Sequence, residues 1–142
     1  MLGSVMPLRI LIADDSRIVR RGLHGLLEQN PDWQVCAEAV DGADAIAKAQ
    51  QFRPDIIVLD YFMPGMTGIE AAQVLGRVLP FTPVLIAALY ITPELLRQAK
   101  NAGVKGAAQK SDTAKVVSGV KALVNKQTFF ESAPIDAIPE AA

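Results

Sequence analysis

With 142 residues, 51% of them apolar and 20% charged, the chain has the size of one domain with a full core and lacks the composition of a disordered one. A formal net charge of −1 excludes a broad basic surface, so direct nucleic-acid binding by this chain is not expected. No apolar stretch approaches the roughly 18 residues of a membrane helix, and the single cysteine, Cys36, cannot close an internal disulfide, so the expectation is a cytoplasmic protein without membrane contact.

Residues 1–7 read as an N-terminal extension. The first apolar run, Leu8–Ala13, reads as a strand and stops at Asp14 and Asp15; broken by Arg9 and ended by two acids, it is no signal peptide. A helix is expected over 16–29, capped by Ser16, with Ile18, Val19, Leu23, Leu26 and Leu27 on one face. Arg17, Arg20 and Arg21 cluster on it and read as a solvated face, and His24, the only histidine, as a rim residue. A second strand over 34–39 contains Cys36, expected to fill core space. An alanine-rich helix over 42–52 follows, carrying Ile46 inward.

The third strand, Ile56–Asp60, ends on another aspartate. A helix over 67–79 stops before Pro80. A fourth strand is expected over 83–88, and a helix over 92–103 begins with Thr92 as cap and Pro93 in the first helical position. A weak strand over 106–109 precedes Lys110. The last helix, 113–125, shows Val116, Val117, Val120, Leu123 and Val124 on one stripe. Residues 126–142 have two prolines and read as a tail or linker, with Phe129, Phe130, Ile135 and Ile138 available to dock on the fifth helix or a partner.

Strands alternating with helices specify an α/β fold with a parallel sheet. Right-handed crossovers make it a (βα)5 three-layer sandwich over 8–125. The flavodoxin-like sheet order 2-1-3-4-5 puts strands one and three together at the switch point, where ligands bind beyond the strand carboxyl ends. Asp14, Asp15 and Asp60 all open at that edge.

A carboxylate at the end of a buried strand is costly to desolvate. Like charges about 4 Å apart repel by roughly 4 kcal/mol at an effective dielectric of 20, so the cluster calls for a proton or a cation. Oxygen ligands without Cys or His suit a hard ion such as Mg²⁺, and such a metal with open positions is a site for phosphoryl oxygens. Lys110, following the fifth strand, would reach the same edge and neutralise phosphoryl charge.

Asp14-Asp15, Asp60 followed by Met63-Pro64 and Gly68, and Lys110 in Gly103-Val104-Lys105-Gly106-Ala107-Ala108-Gln109-Lys110 resemble the receiver domain of bacterial response regulators, over about residues 8 to 125. Asn30-Pro31-Asp32-Trp33 and the segment after Lys110 look most like receivers of the NarL/FixJ type. The resemblance implies that Asp60 accepts a phosphoryl group from a histidine kinase or phosphotransfer protein. It implies that Asp15, Asp60 and the backbone carbonyl of Phe62 hold Mg²⁺, that Asp14 assists through water, and that Lys110 contacts the phosphoryl group. The output would be a changed protein–protein surface, with a homodimer as one form of it.

Two positions depart from the family. The Ser or Thr usual at the end of strand four is Ala88, and the aromatic often found in strand five is Ala107. Phe62 and Tyr90 would flank the phosphoryl group and limit attack by water, giving a long-lived phosphorylated form. Tyr90 would also fold into the space beside Ala88 and Ala107. These departures keep open a degenerate receiver that binds partners without phosphorylation. A fragment of a DNA-binding transcription regulator is a further alternative, since 126–142 is too short for a helix-turn-helix domain. A Mg²⁺-dependent phosphatase fits less well: the acid/base carboxylate expected two residues after the nucleophile is Phe62.

Overall fold

The computed structural model describes residues 6–130. In chain order they form β1 (Leu8–Ala13), α1 (Arg17–Leu27), β2 (Trp33–Ala39), α2 (Gly42–Phe52), β3 (Ile56–Asp60), α3 (Gly68–Val78), β4 (Val84–Ala88), α4 (Pro93–Asn101), β5 (Gly106–Gln109), α5 (Thr113–Val124) and β6 (Phe129–Phe130). The sheet is parallel with order β2-β1-β3-β4-β5-β6, so the flavodoxin-like order holds and gains a sixth strand.

Alternation along the strands builds the two cores. Ile10, Ile12 and Val58 face Leu23 and Leu27 of α1 and Val116, Val120 and Leu123 of α5. Leu11, Ala13, Ile57 and Leu59 belong to the opposite layer, with Ala45 and Ala49 of α2, Ala72 and Leu75 of α3, and Leu95 and Ala99 of α4. Successive residues of a strand point to opposite faces, so a strand covered on both sides must be apolar throughout. β3 and β4 are buried at every position.

Each helix begins on a side chain that accepts a backbone N–H: Ser16, Asp41, Thr67, Thr92 and Asp112. Thr67 and Glu70 form a full capping box. The inward face of α1 differs from expectation at Ile18, which is 86% exposed. Five residues before Leu23, it lies about 140° around the helix from the buried stripe.

The second difference is at the C-terminal side. Phe129 and Phe130, expected in the linker, pair with Gly106 and Ala107 as β6. Phe129 packs on the α1/α5 core and Phe130 on the opposite one, so the two rings straddle the sheet edge. The Lys100 ammonium stands 5.0 Å from the centre of the Phe130 ring. β6 thereby satisfies part of an edge that β5 would otherwise expose. Ile135 and Ile138 lie outside the described residues. Among those described, no helix is long and apolar enough to cross a membrane.

Candidate functional site

The register of β1 on β3 places Ala13 beside Leu59. One step further along both strands puts Asp14 beside Asp60, at the carboxyl edge of the sheet. Asp14 is 1% and Asp60 3% exposed, whereas Asp15 is exposed. Carboxylate oxygens of the three lie within 4.8 Å of one another.

Lys110 completes the cluster. Its Nζ lies 2.7 Å from Asp14 Oδ2 and 3.0 Å from Asp60 Oδ2. Its own backbone N–H donates to the carbonyl of Ala88, which locks the end of β5 to the end of β4. Burial pushes the Asp60 carboxyl above its ordinary value, and the Asp14 charge adds to this against the opposing pull of Lys110. Burial by itself lowers Lys110, but hydrogen bonds to Asp14 and Asp60 outweigh it, so the ammonium is held above its usual range. Three carboxylates against one ammonium leave two negative charges, the deficit that one divalent cation would neutralise.

A cleft of about 470 Å³ opens over this edge, lined by Asp15, Asp60, Phe62, Ala88, Tyr90 and Lys110 among others. Phe62 is 78% and Tyr90 46% exposed. Tyr90 does not fill the space beside Ala88 and Ala107. Both alanines are buried in one apolar cluster with Ile91 and Leu95, and Phe130 packs against that cluster. The buried side chain after β4 is Ile91, one residue on, because Tyr90 can leave its hydroxyl in water only by staying at the rim. The Thr92 hydroxyl is committed as the cap of α4, accepting from Leu95 N at 3.0 Å, and does not replace a hydroxyl at position 88.

The loop after Asp60 closes through Gly68, whose N–H donates to the carbonyl of Tyr61 at 2.7 Å. A Cβ built on Gly68 would meet the Asp60 carbonyl oxygen at 2.4 Å and Tyr61 Cα at 3.0 Å. These are backbone atoms and cannot rotate away. Gly68→Ala is expected to cost about 1–3 kcal/mol of stability in a denaturant titration, because α3 must move off the acceptor loop.

Residue-type reasoning missed Arg20. It is no solvated-face residue: its side chain is 12% exposed, its Nε lies 3.1 Å from Glu38 Oε1, and its guanidinium donates to the Asp14 carbonyl at 2.8 Å. Arg17 and Arg21 are exposed as expected. His24 lies between two carboxylates, with Nδ1 2.6 Å from Glu38 and Nε2 3.1 Å from Glu28. The only sequence signal for this was a Glu facing an Arg across two separate elements, which no local pattern pairs. Burial raises Glu38, but hydrogen bonds with His24 and Arg20 outweigh it and hold the carboxyl below its ordinary range. Glu38 therefore adds stability above the ordinary carboxylate range, and this is lost as pH falls through the lowered folded value. Glu38→Gln is expected to remove that acid-side loss in melts recorded against pH. Cys36 is partly buried, and burial pushes its thiol up, away from a reactive thiolate.

Comparison with known proteins places these residues in context. The model of the response regulator receiver domain matches residues 10–121. The response regulator protein VraR of Staphylococcus saprophyticus is 31% identical over 128 residues, covering 89% of this chain and 61% of VraR. The chain thus spans about three fifths of that relative. Among solved structures, a two-component response regulator of the LuxR family from Aurantimonas sp. SI85-9A1 superposes with a TM-score of 0.83 at 32% identity, covering 87% of this chain and 89% of the other. The receiver domain of the putative response regulator NarL from Mycobacterium tuberculosis gives 0.81 at 28% identity, covering 87% and 100%.

Proposed function

Because the chain belongs to the response regulator receiver family of two-component systems, we propose that Asp60 accepts a phosphoryl group from a histidine kinase or phosphotransfer protein. The observation that carries this is the single Lys110 ammonium shared between two buried aspartates at one sheet edge. An oxygen of Asp60 would form the new bond to phosphorus as the bond to the donor's imidazole nitrogen breaks. Lys110, already 3.0 Å from Asp60, is within reach of the oxygens that arrive with the phosphoryl group.

The residues fit Mg²⁺: all donors are oxygen, and the cluster carries two uncompensated negative charges. Asp15 and Asp60, with the backbone carbonyl of Phe62, would hold it, and Asp14 would assist. Bound there, Mg²⁺ supplies neutralisation of the charge that develops on the transferred group. Lys110 orients Asp60 through its hydrogen bond, and the apolar wall of Ala88, Ile91 and Leu95 would limit water on the β4 side. Phe62 and Tyr90 stand at the mouth of the cleft, where their rings would slow attack by water on the acyl phosphate.

The test is incubation with Mg²⁺ and acetyl phosphate, or with the beryllofluoride mimic, followed by mapping of the adduct. Modification at Asp60 supports the reading. A folded protein that forms no adduct leaves the degenerate, phosphorylation-independent binding module in its place. Ala88 lines the cleft without a hydroxyl, so Ala88→Ser adds a donor toward the phosphoryl group. A hydrogen bond to a charged group contributes about 1.5–3 kcal/mol, so the serine variant is expected to hold beryllofluoride tenfold or more tightly in a titration.

A further inference from the structure

Carboxylates that are to share a metal ion must be held in place by the chain around them. The geometry points to Arg20 as the positioning residue for the Asp14–Asp15 pair, anchored in that task by Glu38 and His24. This rests on the function proposed above and goes beyond it.

The turn after β1 is pinned on both sides of one residue. The N–H of Asp14 donates to the carbonyl of Ala39 at 3.0 Å, and the carbonyl of Asp14 accepts from Arg20 Nη1 at 2.8 Å. That carbonyl belongs to the peptide joining Asp14 to Asp15. Fixing it fixes the direction in which the exposed Asp15 leaves the sheet, since the peptide is planar. The Asp14 side chain is held as well, by Ser16 N–H at 2.8 Å and by Lys110. Asp15 has no comparable bond of its own among the described residues, so its placement comes through this peptide.

Arg20 is itself held from behind. Its Nε lies 3.1 Å from Glu38 Oε1, and the other Glu38 oxygen lies 2.6 Å from His24 Nδ1. His24 continues to Glu28, whose second oxygen accepts from Val35 N–H at 2.8 Å. The relay therefore begins and ends on β2, the edge strand that pairs with β1 along its whole length. Lys48 adds to the same anchor by donating to the Glu38 carbonyl at 2.6 Å. A guanidinium presents several donors in a fixed plane, so one side chain can hold the Glu38 carboxylate and the Asp14 carbonyl at once. A lysine carries its donors on one nitrogen, so it would have to meet both acceptors from a single point instead of from two nitrogens of a plane.

Partners one shell out from a metal ligand change affinity by about 10–100-fold when removed. Arg20→Gln is therefore expected to weaken Mg²⁺ binding by about tenfold, measured by calorimetric titration well below the variant's melting temperature. Arg20→Lys, which keeps the charge without the two-sided reach, is expected to stay weak. Glu38→Gln keeps Arg20 but loosens its anchor, and serves where Arg20→Gln does not fold; a smaller loss is expected. Mg²⁺ affinity within twofold of wild type in these variants, whatever their stability, overturns the assignment, as does full affinity in Arg20→Lys. If the wild-type protein itself binds no Mg²⁺, the metal reading fails and the Arg20 assignment falls with it.

Discussion

Asp60→Asn is expected to abolish phosphoryl labelling from acetyl phosphate completely while raising thermal stability. Both effects come from one carboxylate. An amide oxygen has no anionic lone pair to attack phosphorus, and the remaining aspartates are poorly placed to substitute. Asp14 accepts from Ser16 and Lys110, and Asp15 is exposed and pairs with no ammonium among the described residues. The stability gain follows from burial, which pushes the Asp60 carboxyl above its ordinary value. A carboxyl so shifted is one whose charge the fold tolerates at a cost. Asparagine keeps an oxygen for the Lys110 hydrogen bond and removes the charge. Intact-mass analysis reads the first effect and a metal-free melting curve the second. Labelling that survives in Asp60→Asn would place the acceptor elsewhere and sink the assignment.

Lys110→Ala is expected to produce the largest loss of stability and, against the usual pattern for a site residue, tighter Mg²⁺ binding. The Lys110 side chain is 16% exposed and pairs with aspartates whose side chains are 2% and 4% exposed. Removing one partner of a buried pair costs about 3–5 kcal/mol, because the remaining charge stays buried without compensation. The loss should appear in metal-free denaturant titrations. Saturating Mg²⁺ should return most of it, since a ligand at a hundred times its dissociation constant stabilises by about 2.7 kcal/mol. Lysine and metal compete for the same carboxylates, so deleting the first should strengthen the second. Weaker Mg²⁺ binding in Lys110→Ala would mean that the ammonium organises the carboxylates instead of competing for them. Phosphoryl labelling should fall even with metal bound, because the charge that faces the transferred group is gone.

The parts of the site that were legible in the sequence share a property: each is announced within a few residues. Asp14 and Asp60 end apolar runs, and a charge at the end of a buried strand is conspicuous without any structure. Caps at Ser16 and Thr92 were readable for the same reason, as a side chain bonding an N–H three residues on. Ile18 was misread because a short helix with many aliphatic residues allows more than one stripe, and only packing against β1 and β2 selects it. Tyr90 was misread because the space left by two alanines says nothing about which neighbour fills it.

Composition, strand–helix alternation and the acidic strand ends thus determined the layered α/β fold and the sheet edge at which the aspartates gather. Those are local features summed along the chain. The tertiary structure alone decided that Lys110 divides itself between Asp14 and Asp60, fifty residues apart in the second case. It alone decided that Arg20 turns inward to Glu38 and the Asp14 carbonyl, and that Phe129 and Phe130 close the β5 edge. Each of these is a choice of partner that no local sequence pattern encodes. Only the distances and burial set by packing distinguish them.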